Sequence, residues 1–152
     1  MPRSFLPILT AVIASIAMAA FGQTVGPQSP ALAPGQMWSI KSDSPTTTKV
    51  IIGRLEGWNG KSAVHVALVD VPVPAGVPGA GGVIGVGHMP FEQSVLAASL
   101  NELISTGASP GPNFENGYAQ WQSAKGGIYT ISVADAVATL FEALAKGRPA
   151  QK

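Results

Sequence analysis

The sequence predicts an α+β fold: a single domain in which a mainly antiparallel sheet carries two or three helices packed on one face. Three observations predict it. Alternating, β-branched segments fill the chain between residues 36 and 87, helical spacing takes over from Pro90, and one more strand-like segment lies between the later helices. The chain of 152 residues holds enough material for one hydrophobic core, and its cysteine count of zero leaves stability to that core alone.

The first element, "QMWSIKS", alternates Met37, Ser39 and Lys41 against Trp38 and Ile40, a short strand with one buried face. "DSPTTT" supplies turn chemistry through Asp43, Ser44 and Pro45. "TKVIIGRLEGW" is a β-branched strand, and Asn59-Gly60 closes it as the strongest short hairpin signal in the chain. "SAVHVALVDV" returns, with Val64, Val66, Leu68 and Asp70 on one face and Ala63, His65, Ala67, Val69 and Val71 on the other. These strands predict an antiparallel meander.

"VPVPAGVPGAGG" at 71–82 cannot be a central strand, because its prolines remove ladder donors. "VIGVG" then returns to an extended form, with Gly82, Gly85 and Gly87 pointing to bulging or to close approach of another backbone. Leu96, Leu100, Leu103 and Ile104 fall at helical spacing and predict a helix over about 91–105. Asn113 is a cap for a second helix in which Phe114, Tyr118 and Trp121 form a core stripe, stopped by Gly126-Gly127. "IYTIS" predicts a strand. Ser132 with Asp135 resembles a capping box for a last helix over 133–146, whose apolar side holds Val133, Val137, Leu140, Phe141 and Leu144 and which Gly147 ends.

The amino terminus has a signal peptide's layout: Arg3, an apolar run from Phe5 to about Ala20, then small residues. Cleavage is expected after Ala19, with Gly22 as the second candidate, giving a signal peptide over 1–19. The run is broken by Pro7 and falls short of the roughly 20 apolar residues of a membrane span. No cysteine follows for lipid attachment. The expectation is a periplasmic or secreted product with no stable membrane anchor after cleavage, a flexible linker over 20–35, the α+β domain over 36–147 and a disordered tail over 148–152.

Loss of Arg3 takes Lys+Arg from 9 to 8 against 8 Asp+Glu, a neutral balance without the basic stripe that nucleic acid or a membrane surface requires. No nucleic-acid partner and no cofactor is therefore expected. The glycines of "GAGGVIGVG" lack the spacing and following helix of a dinucleotide site. No nucleophile elbow or acid pair stands out, and no catalytic residue is assigned.

The pieces "GQMWSIK", "VHVALVDV", "GVGHMPFEQSV" and "FENGYAQWQSAKGGIYTISV" together resemble a small bacterial family of exported proteins with the pattern Gly-Gln-x-Trp, a strand histidine, Gly-His-x-Pro and Tyr-x-x-Trp. The resemblance spans the whole mature domain and implies a single domain. That family has no assigned activity, so no residue role is carried over.

Four residues remain as ligand-contact candidates: Trp58, His65, His88 and Glu92. His88 and Glu92 share a helical face if the helix begins at or before His88, and could then share a proton or a metal. The alternative is a strand-to-helix junction in which Glu92 offsets the helix dipole. A catalytic zinc needs three ligands, which would bring in His65, otherwise a hydrogen-bonded sheet residue. Trp58 beside the hairpin tip suits recognition of a partner or a sugar ring unless it folds back over the sheet.

The leading expectation is a non-enzymatic exported module that binds a protein or a small molecule through the 71–82 loop, the hairpin tip and the "GHMP" junction. A metal-dependent hydrolase using His65, His88 and Glu92 is the second, although the chain offers no metal motif of recognisable spacing. An inhibitor or immunity-type partner of a secreted enzyme, with an apolar patch around Trp58, is the third.

Overall fold

Asn59 and Gly60 both take positive φ, 46° and 78°, as a two-residue hairpin turn with a right-handed strand twist requires. That turn sets the register on which the site depends. The structure is a computed structural model describing residues 30–147; the expected signal peptide, most of the linker and the tail lie outside the described residues. In chain order the elements are β1 (Met37–Ile40), β2 (Lys49–Trp58), β3 (Lys61–Pro72), β4 (Val83–Glu92), α1 (Gln93–Ser99), β5 (Leu100–Ser105), α2 (Asn113–Ser123) and α3 (Val133–Lys146). The strands form one sheet in the order β4-β3-β2-β1-β5, antiparallel throughout. The α+β class and the meander are as the sequence predicts.

Val50 and Ile52 of β2, Val64, Val66 and Leu68 of β3, and Met89 and Phe91 of β4 form one core with Leu96 of α1 and Val133, Ala136 and Phe141 of α3. Two helices thus share a face. The alternate residues of β3 look the other way, and there α2 packs, with Phe114 and Tyr118 buried. The third helix therefore sits on the opposite face of the sheet.

Folding of the chain begins slightly before Gln36. Leu32 packs against the core, the Gly35 amide donates to the Ile52 carbonyl at 2.7 Å, and the compact unit extends from Ala31. Gln36 ties this entry down. Its Oε1 accepts from the Ala33 amide and from the Trp38 indole, satisfying a buried donor.

Four element expectations are corrected, the first being that Asn113 opens α2 instead of capping it: Pro112 holds the cap position and no side chain bonds there. The helix expected over 91–105 is α1 alone, and its second half is β5. Leu100 turns the chain to extended backbone (φ −78°, ψ 144°) and pairs with Ile40, while Leu103 pairs with Trp38. β1 would otherwise be an edge with unpaired groups, and that tertiary demand overrides a weak helical spacing. "IYTIS" is not a strand. Only Tyr129 bridges, in parallel, to Phe91, its amide donating to the Pro90 carbonyl and its carbonyl accepting from the Glu92 amide. Val71 does not share the face of His65. Asp70 adopts φ 54° at a bulge, which turns Val71 into the core.

The α3 boundaries match their signals. Ser132 Oγ accepts from the Asp135 amide at 3.1 Å and donates to its carboxylate at 2.7 Å, and Gly147 is the C-cap. Leu144, expected on the apolar side, is 48% exposed. The 71–82 segment is a compact turn closed by the Val73 amide on Gly82 and the Gly81 amide on Val73.

Candidate functional site

The hairpin register pairs Glu56 with Ala63, so Glu56 lies on the sheet face of Ala63 and His65. A bulge at Gly53 keeps Arg54 on that face too, directly opposite His65. On the other side of β3, Val66 pairs with Met89 and Leu68 with Val86, so Gly87 and His88 together oppose Ala67. The extra residue bends β4 and turns the His88 side chain toward His65.

Three glycines let α2 close over these residues, and the one on β4 is Gly87, whose added Cβ would lie 2.8 Å from Cβ of Asn113. A Cβ on Gly53 would lie 2.3 Å from the Phe114 ring, and one on Gly117 would lie 2.5 Å from Cβ of His88. A larger residue at Gly53 would displace the Phe114 ring, and one at Gly117 would push α2 and His88 apart.

His65 is fully buried, and its Nδ1 lies 2.9 Å from Nε2 of His88. The ring centroids are 5.1 Å apart with planes 17° from parallel. That separation is the N–N distance plus about one ring radius on each side, so the imidazoles meet edge to edge along a hydrogen bond. On the opposite ring edge, Nε2 of His65 lies 2.7 Å from Oε1 of Glu56. The distance suits an ion pair, but the contact is off the N–H direction, and both atoms are sealed from solvent without a well-directed hydrogen bond. The other carboxylate oxygen, Oε2, accepts from the Tyr118 hydroxyl at 3.1 Å.

Network logic assigns the protons. Nε2 of His65 at 2.7 Å from a carboxylate oxygen is repelled unless it carries the proton, so charge rather than a directed bond assigns Nδ1 of His65 as the acceptor and Nε2 of His88 as the donor. Nδ1 of His88 is then a lone pair. It has no partner among the described residues and is not among the sealed polar atoms.

Burial holds the His65 imidazolium off, lowering its pKa against the opposing pull of Glu56, with Arg54 reinforcing the drop. His88 is lowered to about 4, first by burial and then by His65 beside it. Both rings are neutral at neutral pH. Burial pushes the Tyr118 phenol up, and its bond to Glu56 adds to this, so it remains a donor. Trp121 meets His65 edge-on at 4.6 Å, and Phe114 meets His88 at 5.6 Å. Arg54 stacks over the Tyr118 ring at 4.2 Å and pairs with Glu115 at 3.2 Å on the rim.

His88 is half-buried at the wall of a cleft of about 740 Å³ between β4 and α2, lined also by Asn113, Asn116, Gly117, Gln120 and Trp121. A second cleft of about 620 Å³ lies at α3 and the 71–82 turn, walled by Ile40, Pro72, Val77, Val137 and Phe141. It is better enclosed by apolar side chains but holds none of the histidine chemistry, so the β4–α2 cleft is the stronger site.

Of the four candidates, the structure brings His65 and His88 into contact. Glu92 is not one helical turn from His88, because both lie on extended β4 and the helix starts only after Glu92. Its carboxylate instead pairs with Lys61 at 2.8 Å and accepts from Ser94. The Lys61 hydrogen bond, with that of Ser94, holds it below the usual carboxylate range. Trp58 is half-buried at the end of β2, opposite Lys61. No group of three metal-ligating side chains gathers among the described residues. The glutamate that does reach the histidines, Glu56, sits on the far edge of His65 from His88, so the three donors do not converge on one point.

Sequence reasoning missed Glu56 and treated Tyr118 and Trp121 as core alone. The Asn59-Gly60 register could have found Glu56, since a two-residue turn places it diagonally beside His65. No protein-family model, curated protein or solved structure matches the chain.

Proposed function

We propose that this protein is an exported, non-enzymatic module that binds a small ligand in the cleft between β4 and α2, with His88 as its polar anchor. The carrying observation is the Glu56–His65–His88 chain, which defines the proton on a neutral imidazole whose second nitrogen is open at a cleft wall. Such a group accepts a hydrogen bond from a ligand hydroxyl or amide. Binding is favoured over catalysis because none of the other described residues lining the cleft is a nucleophile, an acid or a base that could work beside His88. Export rests on the amino-terminal layout of Arg3, apolar run and small residues.

Titration of the full chain with glycerol, followed by backbone amide NMR, tests the reading. Shifts concentrated at residues 86–88 and 113–126, and lost in His88→Ala, are the expected result. Shifts scattered over the surface, or unchanged in that variant, would overturn it.

A further inference from the structure

We propose that the cleft between β4 and α2 recognises a neutral saccharide. The inference rests on the binding reading above and adds the chemical class of the ligand. Asn113, Asn116 and Gln120 stand at i, i+3 and i+7 of α2 and so form one stripe along the helix. All three are exposed and line the cleft, and none spends its side-chain amide on another described residue. Each amide offers a donor and an acceptor side by side. Adjacent sugar hydroxyls offer the same pair in return.

The opposite wall supplies the complementary group. Nδ1 of His88 accepts from a hydroxyl, and it stays an acceptor because the ring is neutral and its other nitrogen is occupied by His65. Trp121 completes the site. Its Nε1–H is bound to the Gly127 carbonyl at 2.8 Å, which fixes the indole beside the cleft with its polar atom already satisfied. His65, Tyr118 and Gly126 cover part of the indole, and the part that lines the cleft is apolar surface of the kind that meets the C–H groups of a sugar ring. None of the described residues lining the cleft carries a formal charge at neutral pH. A phosphate, carboxylate or ammonium ligand would find no counter-charge among these residues, whereas a neutral polyol needs none. The cleft volume of about 740 Å³ lies within the range of small-molecule sites.

The test is calorimetry and tryptophan fluorescence on the full chain against soluble oligomers of glucose, mannose and N-acetylglucosamine, with an oligogalacturonate as the acidic control. At least one neutral oligomer is expected to bind with Kd about 1 mM or tighter. Asn116→Ala and Gln120→Ala, both at exposed positions that leave the fold intact, should each weaken it by roughly fivefold to tenfold. Trp121→Ala should abolish it. Stronger binding of the acidic oligomer, or saccharide binding indifferent to the two amide substitutions, would overturn the proposal. Silence of every saccharide while glycerol still shifts the cleft would overturn the saccharide and leave the binding reading standing. Silence of glycerol as well would bring down both.

Discussion

Acid should destabilise this protein through its histidine pair. An imidazole that titrates ordinarily at 6.5 titrates at about 4 in His88 of the folded chain. Across that window the unfolded state holds more protons than the folded one. Stability therefore rises with pH there, is fully present above about 6.5 and is lost as the pH falls through about 4. Each pH unit of difference is worth about 1.4 kcal/mol, so the ceiling for His88 is about 3 kcal/mol. The ring keeps contact with solvent at the cleft, and screening reduces this to about 1–2 kcal/mol. His65, lowered by its burial, acts in the same direction. The groups facing the pair are Glu56, which favours the charged form of His65, Arg54, which opposes it, and the Tyr118 phenol.

Urea unfolding followed by tryptophan fluorescence, from neutral pH down to about 4, reads the effect directly when His88→Asn is run beside the parent. Asparagine does not titrate. The variant's stability should decline less over the window, by about 1–2 kcal/mol, even if its stability at neutral pH is lower. Parallel curves would mean that His88 takes up its proton equally in both states, and the account of a buried neutral pair would fail.

Two further outcomes follow from the packing. Gly117→Ala gains about 1 kcal/mol in helix propensity, but its methyl would meet Cβ of His88 at 2.5 Å, an overlap costing about 1–3 kcal/mol. A net loss near 1 kcal/mol, with changed His88 ring signals in NMR, is expected; a more stable protein with unchanged signals would show that α2 does not seat there. Ser132→Ala removes the side-chain acceptor of the Asp135 amide and should cost about 1 kcal/mol in a thermal or urea melt, with no change at the histidines.

The parts of this fold that were legible in the sequence are those set by local chemistry. Asn59-Gly60 needs positive φ and has it, Ser132 and Asp135 cap α3 as their spacing implies, and the β3 alternation puts Val64 and Val66 on one face and His65 on the other. The misread parts are those set by distant partners. Leu100 and Leu103 keep helical spacing, yet they serve as a strand because β1 lies beside them. The site divides the same way. Its two histidines are found by their rarity, but their meeting depends on a bulge at Gly87 and His88 that the glycines only hint at. Glu92 lies close to His88 in sequence and apart from it in space, since four residues of extended chain span far more than one helical turn.

The bulge in β4 has a consequence for life at high local concentration. β4 is an outer strand of the sheet, and a straight outer strand offers its free backbone groups to any identical chain that drifts past. Here the ladder is broken at Gly87 and His88, Pro90 has no amide to give, and Tyr129 already occupies the Pro90 carbonyl and the Glu92 amide. Runaway copy-on-copy pairing is thereby denied its template along residues 87–92 of this border. Regularising the strand by deleting one residue would turn His88 away from His65 and lay the border open in the same stroke. The His65–His88 contact and the blunting of this border hang on one irregularity, so substitutions here should be read for both.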